Sequence, residues 1–237
     1  MTIEVNNLTK IFGNQKALDN VSFSINTGEI VGLLGPNGAG KSTLMKILTC
    51  FIPPTFGDVK IYGLDIFENA TEIKSLIGYL PEHNPLYVDL FVKEYLTFIA
   101  EIHNLKGKEK KQRVDDIIEL VGLNKEVNKK INTLSKGYRQ RIGLAQAMIH
   151  NPKVLILDEP TTGLDPNQLS EIRQIIKQTS KDRTVILSTH IMQEVEAVCT
   201  RALIINNGKL AADDSIENLK NNGSMENYFR YITTKNI

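Results

Sequence analysis

Gly35-Pro36-Asn37-Gly38-Ala39-Gly40-Lys41-Ser42 follows the apolar run Ile30-Val31-Gly32-Leu33-Leu34 and leads into Thr43-Leu44-Met45-Lys46-Ile47-Leu48. The spacing is G-x-x-x-x-G-K-S between a strand pattern and a helix pattern, the setting that a phosphate-binding loop needs. Glycines let the backbone close around a phosphate where a Cβ would collide or forbid positive φ. Successive N–H groups then point inward, and the start of the following helix adds partial positive charge. In this reading Lys41 reaches the β- and γ-phosphates and the Ser42 hydroxyl ligates Mg²⁺. The stretch predicts binding of a nucleoside triphosphate.

The 237 residues around this loop are enough for one large domain or two small lobes with a substantial core. A net charge of +1 offers no bulk attraction to a polyanion, which argues against nucleic acid as a partner. Cys50 and Cys199 lie far apart in apolar helix-like runs and fit no metal-ligand spacing. They are expected to be small core residues in a reducing compartment. Met1-Thr2-Ile3-Glu4-Val5 has neither a basic segment nor an apolar one, so no signal peptide is expected. No apolar run approaches the ~18 residues needed to cross a bilayer. A cytoplasmic protein that docks onto something in the membrane is the expectation.

Ile3, Val5 and Leu8, then Val21, Phe23 and Ile25, predict two strands joined by a turn near Gly13-Asn14. Pro53-Pro54-Thr55-Phe56-Gly57-Asp58 reads as a breaker cluster before the strand Val59-Lys60-Ile61-Tyr62, and Ile77-Gly78-Tyr79-Leu80 is another short strand. Between about residues 84 and 150 the period becomes helical, with three helices around Phe91–Ile102, Val114–Val121 and Ser135–Ile149. The basic run Lys106–Arg113 within it reads as a solvated helix start. Val154-Leu155-Ile156-Leu157 then returns as a strand buried on both faces. A helix through Leu169, Ile172, Ile175 and Ile176, the strand Val185-Ile186-Leu187, a short helix and the strand Ala202-Leu203-Ile204-Ile205 follow. Asn207-Gly208 has the chemistry of a hairpin turn, and the tail from Ala211 is polar and short. Strands alternating with helices imply a mostly parallel sheet, so the fold class is α/β with an inserted helical lobe.

A phosphate loop fits many enzymes, so other residues must decide between them. Asp158-Glu159 ends a buried strand. A carboxylate there, facing the phosphate loop, is where Mg²⁺ needs a second protein contact. Glu159 is placed to orient or deprotonate a water attacking the γ-phosphate, which favours hydrolysis over transfer. The absence of an Asn-Lys-x-Asp sequence disfavours guanine recognition. Leu134-Ser135-Lys136-Gly137-Tyr138-Arg139-Gln140-Arg141 adds a helix start at which Ser135 has the chemistry of an N-cap, and such a start is an anion site.

From about residue 2 to residue 210 the chain resembles the ATP-binding subunit of an ATP-binding-cassette (ABC) transporter. Gly35–Ser42 is similar to the Walker A loop, Leu134–Arg141 to the signature usually written LSGGQ, and Val154–Glu159 to Walker B with its catalytic Glu. Leu164-Asp165 is similar to the D-loop, His190 in Ser188-Thr189-His190 to the switch histidine, and Phe12 to an aromatic that stacks on adenine. The resemblance implies a P-loop core with an N-terminal antiparallel β subdomain and the helical subdomain of 84–150 inserted, all within residues 1–210, and a C-terminal tail of 211–237. It implies a head-to-tail homodimer with two MgATP sandwiched at its interface, each touching Walker A of one subunit and Ser135 and Gly137 of the other. Asp158 and Ser42 would hold Mg²⁺, Lys41 would neutralise developing charge, and Glu159 would activate water. His190 would hydrogen-bond the γ-phosphate or that water. Phe12, the loop residues 35–43 and Asp165 complete the implied nucleotide site.

Three positions depart from the family pattern. Glu82 stands where a Mg²⁺-sensing Gln is usual and is retained as a metal candidate. Lys136 replaces a signature glycine, as an extra cation for the partner's phosphates or as a solvated side chain. Tyr138 replaces the signature Gln. The LSKGYRQR form with Leu80-Pro81-Glu82 resembles ATPases paired with export-type (ABC-2) permeases, and Ile77–Tyr87 is similar to gliding-motility-associated and multidrug-type subunits. The implied function is an ATPase driving a separate integral-membrane permease from the inner face of the cell membrane. The alternative is a soluble ABC ATPase acting on nucleic acid or ribosomes. Its repair and translation members carry a long coiled coil or a second cassette, and this sequence has neither.

Overall fold

Two sheets organise the chain in the computed structural model, which describes residues 1–180, 183–220 and 224–234. Strands β1 (Ile3–Phe12), β2 (Gln15–Ile25), β4 (Phe56–Ile61) and β5 (Leu64–Asp65) form an antiparallel sheet in the order β2-β1-β4-β5. Strands β3 (Ile30–Leu34), β6 (Ile77–Leu80), β7 (Val154–Asp158), β8 (Thr184–Ser188), β9 (Arg201–Asn206) and β10 (Lys209–Ser215) form the second, ordered β10-β9-β3-β8-β7-β6. All its pairings are parallel except β9 with β10, which the expected Asn207-Gly208 turn joins as a hairpin. The α/β fold with an N-terminal antiparallel sheet is therefore as expected.

Alternation along a strand sends successive side chains to opposite faces, and both faces of the parallel sheet are covered. On one face Val31, Leu33, Val154 and Ile156 pack with the antiparallel sheet and α1 (Lys41–Leu48). On the other, Leu155, Leu157, Val185 and Leu187 pack with the helical lobe and α6 (Pro166–Thr179). That two-sided burial is why these strands read as unbroken apolar runs.

The lobe holds α3 (Val92–Ile102), α4 (Gly107–Leu120) and α5 (Lys136–Met148). Tyr95 donates to Gln146 at 2.5 Å, linking α3 to α5. At the lobe's junction with the core, the rings of His103 and His150 stack 3.9 Å apart. A nitrogen of His150 lies 3.0 Å from the carbonyl of Ile77 in β6. Burial pushes the His150 imidazole down to about 4, so this junction is made by a neutral ring at neutral pH.

Several expectations need correcting. The breaker cluster ends two residues before Gly57, because Phe56-Gly57-Asp58 already belongs to β4. The helix α2 (Ala70–Leu76) was not foreseen, since only Ile73 of its seven residues is buried and no period is legible. The boundary expected at residue 210 falls inside β10. The tail is structured where described: α8 (Ile216–Lys220) and α9 (Met225–Thr234) pack Leu219, Met225, Tyr228, Phe229 and Ile232 against the core. Residues 221–223 and 235–237 of that tail lie outside the described residues. Cys199 is buried, but Cys50 is only half-buried, with φ +54 just past α1, and both are free thiols.

The basic run is not simply solvated either. Lys110 pairs with Glu101 at 2.5 Å, and Arg113 turns inward to donate to the carbonyls of Ile149 at 2.8 Å and Met148 at 2.5 Å. Those carbonyls close the C-terminal end of α5, where a guanidinium satisfies orphan acceptors and complements the helix dipole. Replacing Arg113 by Met should therefore lower unfolding stability by about 1–3 kcal/mol in a urea titration, without a change in far-UV circular dichroism.

Candidate functional site

The C-terminal ends of β3, β8 and β7 lie side by side, with Leu33 opposite Ser188 and Asp158 opposite Ser188. From β3 the chain enters the glycine loop and α1. From β8 it enters Thr189-His190, and from β7 it enters Asp158-Glu159. A cleft of about 600 Å³ opens over these edges, lined by Asn37 through Thr43, Glu82, Asp158, Glu159, Thr162 and His190, and on its outer side by Phe12, Gln15 and Ala17. Clefts beyond the carboxyl ends of parallel strands are the usual ligand sites of such sheets.

The glycine loop is held from outside by the antiparallel lobe. Gly40 has φ +113, and a Cβ on it would stand 2.5 Å from the Ala17 carbonyl and 2.9 Å from Leu18. The β9–β10 turn adds a hydrogen bond from Gly208 N–H to the Ala39 carbonyl at 2.9 Å. Lys41 at the first turn of α1 is buried, and its Nζ donates to Gly35 O at 2.6 Å and Pro36 O at 3.1 Å. Gly35 and Pro36 thus hold Lys41 and do not themselves line the cleft. Burial pushes the Lys41 ammonium below its ordinary value, against the opposing pull of Glu159, Asp158 and Glu82.

Asp158 is buried at the edge of β7, and burial first, then Glu82 and Glu159, raise its carboxyl above the ordinary value. Glu159 takes φ +50, a left-handed conformation that costs about 1 kcal/mol in a residue bearing a Cβ. Its N–H donates to Ser188 O at 3.0 Å, which ties the turn to β8. Its carboxylate accepts from Thr162 Oγ1 at 3.0 Å and lies 2.9 and 3.0 Å from Nδ1 of His190. A carboxylate only accepts, so Nδ1 is the protonated ring nitrogen and Nε2 is left facing outward. His190, expected to meet a γ-phosphate or water, donates to Glu159 in this structure.

The loop bearing His190 is pinned from beneath. Buried Glu194 accepts from Thr189 Oγ1 at 2.8 Å, and that hydroxyl accepts from Ile191 N–H at 3.1 Å.

Ser135, Gly137 and Asp165 do not line this cleft. Ser135 occupies the N-cap position of α5 and is exposed, but its side chain makes no capping hydrogen bond. Its hydroxyl and the first N–H groups of α5 are consequently available to something outside this chain's own cleft. Asp165 instead uses its carboxylate to cap α6, accepting from Asn167 N–H and Gln168 N–H, both at 3.0 Å. Sequence reasoning did not single out Gln15, Ala17 or Thr162. Thr162 was legible in principle, three residues past Glu159 in a tight turn.

The donor set suits Mg²⁺ in its chemistry: Ser42, Asp158 and Glu82 offer hard oxygens, and the carboxylates of this cleft outnumber its one ammonium. Among the described residues no three His, Cys, Asp or Glu side chains converge into a full ligand set. A cation here would depend on one or two protein oxygens together with phosphate and water oxygens, as Mg²⁺ usually does.

A model of the ABC transporter family matches residues 18–162. Bacitracin transport ATP-binding protein BcrA of Bacillus licheniformis is 40% identical over 220 residues, spanning 92% of this chain and 71% of that protein. Linearmycin resistance ATP-binding protein LnrL of Bacillus subtilis is 37% identical over 211 residues, spanning 89% of this chain and 68% of that protein. A solved dimeric ATP-binding cassette in a post-hydrolysis state with ADP and Pi superposes with a TM-score of 0.82 at 27% identity, over 90% of this chain and 98% of that one.

The raised Asp158 carboxyl has a consequence for folding. Stability carried by its proton is complete below the unfolded value of 3.8 and is lost as pH rises through the higher folded value. In nucleotide-free protein with chelator present, Asp158→Asn should raise the urea midpoint at pH 7. The gain over the unmodified chain should vanish below pH 3.8.

Proposed function

The chain belongs to the ABC transporter family and is an ATP-binding, ATP-hydrolysing cassette, and from that premise we propose that it is the motor subunit of an exporter. Two copies would pair head to tail around two MgATP and drive separate integral-membrane permease subunits from the inner face of the membrane. The observation that carries this reading is the meeting of the glycine loop, Glu159 and His190 at the edges of three adjacent parallel strands. Residues 84–150 would be the inserted helical subdomain of the cassette.

Phe12, half exposed at the cleft mouth beside Gln15 and Ala17, would stack on the adenine. N–H groups of residues 38–43 would receive the phosphates. Lys41 has three donors and uses two on Gly35 and Pro36, which leaves one for a phosphate oxygen. Ser42 and Asp158, with Glu82 nearby, would hold Mg²⁺, which supplies charge neutralisation to the phosphate oxygens. Glu159 would take the proton of the attacking water, with Thr162 and His190 fixing the direction of its carboxylate. Ser135 and the N–H groups near Gly137 would serve the partner copy's nucleotide. Asp165 caps α6 through Oδ1 alone and would serve the nucleotide site through Oδ2 and the loop it shapes.

A mostly apolar groove of about 470 Å³, lined by Leu86, Tyr87, Val88, Asp89, Leu90 and Phe98 shortly after Glu82 in sequence, would seat a permease helix. Among the described residues no helix is long and apolar enough to cross a membrane, so attachment would run through that permease. Export is supported by the similar proteins named for bacitracin transport and linearmycin resistance. The relatives named above support this reading and not the nucleic-acid or ribosome alternative.

Glu159→Gln should lower kcat by about 10²-fold or more while ATP binding persists, and should collect an ATP-bound dimer visible by light scattering. Hydrolysis at the unmodified rate would remove Glu159 from the role of base. Chelation of divalent cations should abolish turnover, and restored Mg²⁺ should recover it. In cell fractionation, the chain should pellet with membranes only when a permease is co-expressed.

A further inference from the structure

Three contacts join α5 to α6 and the loop before it, all within one chain. Gly137 faces Gln168: a Cβ on that glycine would stand 2.5 Å from the Gln168 side chain. One helical turn further on, Arg141 pairs with Glu171 and donates to the Val121 carbonyl at 3.1 Å. The third contact is made by Lys136, the residue that departs from the signature pattern. Its side chain lies over Gly163, with Cδ and Cε 3.6 and 3.3 Å from where a Cβ on that glycine would be, and Nζ nearer still. Gly163 has φ +74, so the position suits glycine for its backbone as well as its space.

Gly163 sits in the turn that carries Thr162, whose hydroxyl donates to Glu159 at 3.0 Å. The turn closes on itself through Thr162 N–H to Glu159 O at 3.3 Å and Leu164 N–H to Thr161 O at 3.2 Å. Its other end is anchored by the Asp165 cap of α6. Lys136, itself exposed, therefore lies over the one residue of this turn that has no side chain, next in sequence to the Thr162 whose hydroxyl holds the Glu159 carboxylate.

We propose that Lys136 is a positioning residue that braces the 161–166 turn of its own chain through Gly163, keeping Thr162 against Glu159. This rests on the ATPase reading above and stands as a third role for Lys136 beside a cation for the partner's phosphates and a solvated side chain. The brace links the helix start that would serve a partner's nucleotide to this chain's own water-activating carboxylate. Docking of a nucleotide on Ser135 would then be felt at Glu159 through a few packed atoms. The ammonium stands nearest the glycine with Cε and Cδ behind it, so the length of the stem sets the contact.

The test is steady-state ATPase kinetics on purified chain with Lys136→Gly and Lys136→Met, plus ATP-dependent dimerisation of Lys136→Gly in a Glu159→Gln background. Lys136→Gly should lower kcat about tenfold with KM for ATP within about twofold of the unmodified value. Lys136→Met, which keeps most of the stem, should stay within about twofold in kcat. The ATP-bound dimer of the double variant should form at the same ATP concentration as that of Glu159→Gln alone. Unchanged kcat in Lys136→Gly would overturn the brace. So would a KM raised in both substitutions together with a weakened dimer in the double variant, which would assign Lys136 to a partner's phosphates. An unmodified chain without turnover would overturn the ATPase reading, and the brace with it.

Discussion

Strand β8 hydrogen-bonds to β3 on one side and β7 on the other, and the site depends on that pairing. Backbone ladders in a parallel sheet fix the relative height of neighbouring strands to a fraction of a residue. Because all three run the same way, the segments that leave them emerge at one edge. A one-residue slip of β7 would turn Asp158 to the other face and carry Glu159 away from His190. The apolar side chains that cover both faces of the sheet hold that register, so the core of the protein is also the jig for its chemistry.

Within the cleft the charges do not balance. Asp158, Glu159 and Glu82 face one ammonium, and that ammonium is engaged by the carbonyls of Gly35 and Pro36. Burial works against the ionised forms of Asp158 and Lys41, raising the first and lowering the second. A site left in this condition favours ligands that bring cations and anions together, which MgATP does. Burial and the excess of carboxylates are together the origin of the cleft's proposed affinity for a metal–nucleotide complex.

The proposed base carries backbone strain of its own. Glu159 is one of the few non-glycine residues with positive φ, and its carboxylate is held by Thr162 and His190 from different loops. Buried Glu194 pins one of those loops, while the α6 cap and the Lys136 contact hold the other. Strained side chains persist where their surroundings over-determine them, and here two supports are independent of each other. The proposed in-chain brace extends this support to the helix start that faces away from the cleft.

Strand and helix periods, the glycine loop and the acidic end of β7 were legible in the sequence because each is a local pattern with a local physical cause. So was the resemblance that implied a shared nucleotide site. Elements without such a pattern went unread: α2 buries one residue of seven, and α9 shows its apolar face only once β9 lies beneath it. Arg113 looked solvated because the carbonyls it satisfies lie 35 and 36 residues away in sequence. Likewise, the sequence named His190, Glu159 and Lys136 as residues of interest but carried no information about what each would touch. His190 and Glu159 are 31 residues apart, and their contact exists because β7 and β8 pair in register. Composition and spacing settle which elements form and what chemistry they carry. Which side chains meet is settled by sheet order and packing, where contacts between distant segments outweigh any neighbour in the chain.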